Sequence, residues 1–187
     1  LHPKDPEGAS RRIPFGRHLL IESDDFEEIP PKKYKRLSPG AEVRLRHGYV
    51  IRCERFDADA EARPTKLYCT VDLESRAGGA NAEKKVKGVI HWVSATHALD
   101  AEVRLYDRLF TNPDPSGVKT EEGFRDVLNP DSLERCAAKL EPALGALASG
   151  EVVQFERLGY FCPDEDSTDT ARRFNRTITL RDTWGGK

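Results

Sequence analysis

KKVKGVIHWVSATHALDAEVRLYDRLF, running from Lys84 to Phe110, decides how this chain is to be read. It holds two runs that alternate apolar with polar residues, Val86 to Val93 and Glu102 to Phe110, on either side of a small-residue turn. A period of two sends successive side chains to opposite faces, the mark of half-buried strands. A basic cluster, Lys84 to Lys87, leads in.

The same period recurs outward in both directions. His18 to Glu22, Glu42 to Ile51 and Lys66 to Val71 read as strands on one side, and Val152 to Glu156, Tyr160 to Cys162 and Arg176 to Leu180 on the other. In Glu42 to Ile51, Val43 and Leu45 share one face and Arg44 and Arg46 the other. Connections are rich in Gly, Pro, Asp and Asn, as in Ser38-Pro39-Gly40, Arg76 to Ala82 and Asn112 to Gly117. Many short strands with turns between them predict a mainly β fold of barrel or sandwich type. Thr120 to Leu128 predicts one short helix, with Thr120 as N-cap and Phe124, Val127 and Leu128 inward. Ser132 to Leu147 has the composition of a helix, but Pro142 interrupts it and leaves helix and strand both open.

Composition narrows the function classes. The chain has 187 residues, 33% charged and 37% hydrophobic, enough for one large or two small domains. No apolar run reaches the roughly 20 residues of a membrane helix, and LHPKDPEGASRR shows no apolar signal region, which means little where the start is not native; the expected location is the cytoplasm. No methionine occurs, position 1 included, which predicts an excised part of a longer protein. Cys53, Cys69, Cys136 and Cys162 are irregularly spaced and predict buried free thiols of a cytosolic protein, with no metal site. The net charge of -2 argues against a uniformly basic nucleic-acid binder. The charge is nevertheless uneven. Lys32, Lys33, Lys35, Arg36, Arg44, Arg46, Arg52 and Arg55 face only Glu42 and Glu54 over the same span, while acids gather at 22–28 and 164–169. Screening over about 10 Å at 0.1 M salt lets a phosphate near the basic run feel mainly that run.

No motif supplies a reaction. There is no glycine-rich phosphate loop, no G-x-S-x-G and no cysteine with a histidine partner close by. His91 reads as a packed or hydrogen-bonded strand histidine, and Asp107 with Arg108 as a structural charge pair. The run Lys32-Lys33-Tyr34-Lys35-Arg36 is by itself equally a solvated loop. Two features favour recognition. Tyr34 offers a stacking face inside a basic cluster, and Arg44 and Arg46 extend the patch with groups able to read a guanine edge.

As a pattern, GVIHWVS followed by a second strand and RLYDRLF resembles the C-terminal, anticodon-binding part of bacterial-type glutaminyl-tRNA synthetases. Tyr34-Lys35-Arg36-Leu37, Gly40 and Val43-Arg44-Leu45-Arg46 match a second signature of that family, and Gln154-Phe155-Glu156-Arg157-Leu158-Gly159-Tyr160-Phe161-Cys162 a third. Phe174 to Thr177 and Leu180 to Trp184 resemble the family's C-terminus, so little is expected beyond Lys187. The resemblance implies two small β-barrels, one inserted in the other: a proximal barrel from residues 1–23 and 100–187 and a distal barrel from 24–99. It also implies an extended strand over Ser132 to Leu140.

Its functional implications are specific. Arg36 is expected to read the third anticodon base, Lys35 and Arg44 to hold the first, and Gln154 and Arg157 to face the central one. Tyr34, Arg46 and Lys33 flank these, with Lys33 standing where the family often has glutamine, and Pro3 borders the central base. Arg157 has the parity of inward Phe155, so a bulge or strand end near Gly159 is needed to bring it beside Gln154. The implied partner is the anticodon loop of glutamine tRNA, with an upstream catalytic domain of the same chain that uses ATP and Mg and is expected to act as a monomer. The two ATP-site motifs of such enzymes are absent, so this piece is expected to be catalytically inert and to need no cofactor. A related glutamyl-tRNA synthetase module and a non-catalytic β-barrel interaction domain are the alternatives; histidine before tryptophan in GVIHWVS favours the glutaminyl branch.

Overall fold

A computed structural model describes residues 10–120 and 122–180. Chain contacts divide the protein into two units: residues 14–96, the inserted unit, and residues 1–13 with 97–187, the flanking unit. The described residues are mainly β, and their helical stretches are 3-10 turns of three or five residues.

The inserted unit carries β1 (Leu19–Leu20), β2 (Glu42–Leu45), β3 (Val50–Ala58), β4 (Pro64–Asp72), β5 (Val89–Ile90) and β6 (Val93–Ser94). Four of them form an open sheet in the order β4-β3-β2-β5, in which β5 runs parallel to β2. The alternation in β2 does what its pattern predicts: Val43 and Leu45 are buried, Arg44 half-buried and Arg46 exposed. Phe26, Leu37, Val50, Ile51, Cys53, Ile90, Trp92 and Val93 are buried in the same unit. The ends of the unit are clasped, since β1 pairs antiparallel with β6 and the Ala95 N–H donates to the His18 carbonyl at 3.0 Å.

The flanking unit carries β7 (Leu99–Tyr106), β8 (Leu133–Leu140), β9 (Val153–Phe155), β10 (Gly159–Pro163) and β11 (Arg172–Ile178). Its sheet has the order β8-β7-β11-β10-β9 and is likewise open. Ala101 and Val103 of β7 turn inward onto Leu140, Phe161 and Phe174, and Phe155 stacks on Phe161 with centroids 4.2 Å apart. Burying a phenylalanine of this kind contributes about 1.5–3 kcal/mol. The opposite face of β7 is ionic: Arg104 bridges Glu102 at 2.7 Å and Asp164 at 2.9 Å.

Several expectations need correction. Glu42 to Ile51 is two strands, because His47 takes a positive φ of 56° and the Gly48 N–H closes a tight turn onto the Leu45 carbonyl. Val86 to Val93 splits into β5 and β6 around His91 and Trp92, each short strand with a different partner. Thr120 to Leu128 is no α-helix. Gly123 sits at φ 63°, which breaks the helical path, and only Gly123–Val127 forms a 3-10 turn. Phe124 and Leu128 are consequently exposed, at 54% and 42%. Residues 132–147, by contrast, follow the resemblance, as strand Leu133–Leu140 followed by a 3-10 turn that begins at Pro142. The four cysteines are free, but only Cys53 is buried; Cys69 is exposed and Cys136 and Cys162 lie between.

Candidate nucleic-acid interface

In the inserted unit the basic run is built against an acidic turn. Lys33 adopts φ 70°, and the Tyr34 N–H closes the turn onto the Pro31 carbonyl. The Tyr34 hydroxyl donates to the Asp24 carbonyl at 3.0 Å, and the Arg36 Nη1 donates to the same oxygen at 2.8 Å. Arg36 Nε lies 3.3 Å from Asp25 Oδ1, and Asp25 is fully buried. Partial burial raises the Tyr34 pKa above its ordinary value, so the phenol keeps the proton that it donates. Tyr34 and Arg36 are thus anchored through one edge, while the side chains of Lys32, Lys33 and Lys35 are exposed. The acids at 24 and 25, which the sequence sets apart as a separate patch, are the foundation of the basic run. No local pattern signals this, because the partners stand ten to twelve residues apart.

Arg44 is placed differently. Its Nη1 donates to the carbonyls of Gly48 at 3.4 Å and Ser75 at 2.6 Å, and its Nη2 to those of Ala82 at 3.2 Å and Lys84 at 3.1 Å. A guanidinium has five N–H groups, so only Nε–H remains for anything else. Ser75, fully buried, accepts from the Val50 N–H at 2.7 Å and donates to the Asp72 carbonyl at 2.5 Å, which ties the same loop to β3. Arg46 is exposed one turn of the pleat further along.

In the flanking unit Gln154 lies exposed on β9, opposite Tyr160. The strand ends at Phe155, and the Leu158 N–H closes a turn onto the Phe155 carbonyl at 3.0 Å. Arg157 occupies that turn at φ 65° and is exposed. The strand parity that would send it inward with Phe155 therefore stops two residues before Arg157. Gly159 opens β10 at φ 147°, where a Cβ would lie 2.5 Å from the Ile178 carbonyl. Only glycine fits so close an approach in that conformation. The candidates thus fall into two groups, Lys33 to Arg36 with Arg44 and Arg46 in one unit and Gln154 with Arg157 in the other. Pro3 lies outside the described residues.

Elsewhere, Asp107 and Arg108 make an exposed contact at 3.9 Å. Among the described residues no group of three or more His, Cys, Asp or Glu is placed to hold a metal ion.

Two family models match the sequence, over residues 1–72 and 89–164, and both describe the anticodon-binding domain of class I tRNA synthetases (E and Q). The chain belongs to this family. Its similarity to curated proteins runs the full length. It is 48% identical over 184 residues to a glutamine–tRNA ligase of Rhodopirellula baltica, covering 98% of this chain and 31% of that protein. Identity is 51% to the glutamine–tRNA ligase of Vibrio parahaemolyticus over 98% of this chain and 33% of the relative. For that of Yersinia pestis it is 49% over 100% of this chain and 33% of the relative. The chain therefore spans about a third of the length of these relatives. Both the 32–46 region and the start of β5 fall inside the matched ranges of this anticodon-binding family, as do Gln154 and Arg157. No helix among the described residues is long and apolar enough to cross a membrane.

Proposed function

We propose that this chain is the anticodon-recognition module of a glutaminyl-tRNA synthetase and that it binds the loop of glutamine tRNA. The observation that carries the reading is the Lys33-to-Arg36 run, in which Asp24 and Asp25 fix the aromatic and the arginine while the lysines stay exposed. Such an arrangement suits single-stranded RNA. Lysines neutralise phosphate, an anchored tyrosine gives bases a stacking face, and arginine donors and a glutamine amide discriminate base edges. Arg36 then reads the third anticodon base, Lys35 and Arg44 hold the first, and Gln154 and Arg157 serve the central base. The distal module then spans residues 24–99 and the proximal one residues 1–23 and 100–187, a division that the two contact units, 14–96 and 1–13 with 97–187, support in outline.

In the same proposal the rest of the enzyme is an upstream catalytic domain that joins glutamine to its tRNA with ATP and Mg. The enzyme works as a cytoplasmic monomer, and this chain contributes recognition alone. The family description spans both E and Q enzymes, so a glutamyl-tRNA synthetase module is the second reading. The names of the relatives weigh toward glutamine.

Binding of this chain to a glutamine-tRNA anticodon stem-loop, and to one with the central base changed, tests the reading at two salt concentrations. Preference for the cognate loop at both salts, abolished by Gln154→Ala together with Arg157→Ala, is the expected result. Equal affinity for both loops, lost steeply with salt, would reduce the site to a basic patch.

A further inference from the structure

Two lysine runs far apart in sequence meet in the inserted unit. Gly88 is buried against the Lys35 backbone so closely that a Cβ would lie 1.6 Å from the Lys35 carbonyl oxygen. Arg44 fixes the segment that ends there. Its backbone N–H donates to the Gly88 carbonyl at 2.9 Å, and its guanidinium holds the Ala82 and Lys84 carbonyls at 3.2 and 3.1 Å. Held at both ends, the segment alternates: Val86 and Gly88 turn inward, while Lys85 and Lys87 are exposed. Lys84 is spent, bridging Glu42 at 2.9 Å and Asp72 at 3.6 Å. Lys85 and Lys87 form no ion pair or side-chain hydrogen bond with any described residue, and neither do Lys32, Lys33 and Lys35. Glu83, exposed at the head of the segment, and Glu27, whose charge acts on Tyr34, offset part of this positive charge.

We propose that Lys85 and Lys87 extend the phosphate-contacting surface of Lys35. They bind the sugar-phosphate backbone of single-stranded RNA without reading its bases, and Arg44 is the positioning residue that keeps their segment beside Lys35. The proposal rests on the tRNA reading above. Two exposed cations without fixed partners, next to a run that carries the family's recognition signature, neutralise phosphate with little side-chain desolvation to offset. A lysine is a point charge and reads no base edge in paired fashion, so the contribution is uniform across sequences.

The test is a salt titration of RNA binding by this chain carrying Lys85→Ala and Lys87→Ala. Cognate and central-base-altered stem-loops are compared, and Lys66→Ala with Lys119→Ala serves as a charge-matched control. Each phosphate contact on a single strand contributes about 0.7 to the slope of log affinity against log salt. The expected slope is therefore about 1.4 shallower for the Lys85/Lys87 variant on both loops, with the ratio of the two affinities unchanged and the control at the wild-type slope. An unchanged slope in the Lys85/Lys87 variant, or an equal drop in the control, overturns the proposal while wild-type anticodon preference still stands. Wild-type binding without anticodon preference overturns the tRNA reading instead, and no wild-type binding overturns both.

Discussion

A guanidinium spends its donors one by one, and the number left decides what an arginine can still recognise. Arg44 commits its four Nη hydrogens to carbonyls of three separate chain segments, whereas Arg36 meets Asp24 and Asp25 along one edge. The two substitutions should therefore fail differently. Arg44→Ala strips partners from partly buried carbonyls and is expected to destabilise the protein by about 2–4 kcal/mol in urea unfolding. Arg36→Ala is expected to weaken RNA binding by about 1–3 kcal/mol and relax discrimination at one base. Its own stability loss, from removing the cation that faces buried Asp25, is measured alongside by the same unfolding curve. At this scale the sequence singles out both arginines but not the bonds each one makes. Tyr34-Lys35-Arg36 and Val43-Arg44 were legible as motifs, while the bonds that separate Arg36 from Arg44 span up to 40 residues and leave no local trace.

Among the elements, legibility had two sources. Lys66 to Val71, read as a strand from its own residues, lies within β4, whereas Ser132 to Leu140, left open by its pattern and implied as a strand only by the resemblance, almost coincides with β8. Two of the failures share one cause, a single backbone conformation that pattern does not register. His47 at φ 56° hides a turn inside unbroken alternation, and Gly123 at φ 63° ends a helix that amphipathic spacing predicts. The acidic stretch from Asp164 shows a further limit, since charge density alone reads as a bare loop. Asp164 instead accepts from the Asp166 N–H at 2.8 Å, the Asn175 Nδ2 at 2.6 Å and Arg104 at 2.9 Å. The Asp166 N–H, then Asn175, hold its carboxyl below the ordinary carboxylate pKa. A depressed folded-state pKa contributes stability that is present above the unfolded value of about 4 and is lost as pH falls through the folded one. Asp164→Asn is expected to lower stability at pH 7 by about 1–2 kcal/mol and to flatten the decline between pH 5 and 3. Thermal unfolding of both proteins across that range checks it; parallel declines would refute it.

On the scale of the molecule, each unit has its own buried apolar set, around Val43, Leu45 and Ile90 in one and Phe161 and Phe174 in the other. A chain cut to residues 14–96 is therefore expected to keep β-type circular dichroism and a cooperative unfolding transition. A featureless spectrum would show that its core needs the flanking residues. The expected domain plan came from the resemblance alone, because alternation says which residues form strands but not which strands share a sheet. Glu102 to Phe110 follows directly on the clasped β6, yet its sheet partners come from 133–140 and 172–178.

That clasp has a consequence in polymer terms. With Ala95 bonded to His18 and β1 zipped to β6, the inserted unit enters and leaves the chain through a stem whose two strands are already joined. Loop-closure entropy grows only logarithmically, about 0.6 kcal/mol for each doubling of length, and here even that term is met within the insert itself. The stem at residues 18 and 95 is thus a graft point: a lengthened or foreign module closed by the same two-stranded base would leave assembly of the flanking sheet almost indifferent to what it carries.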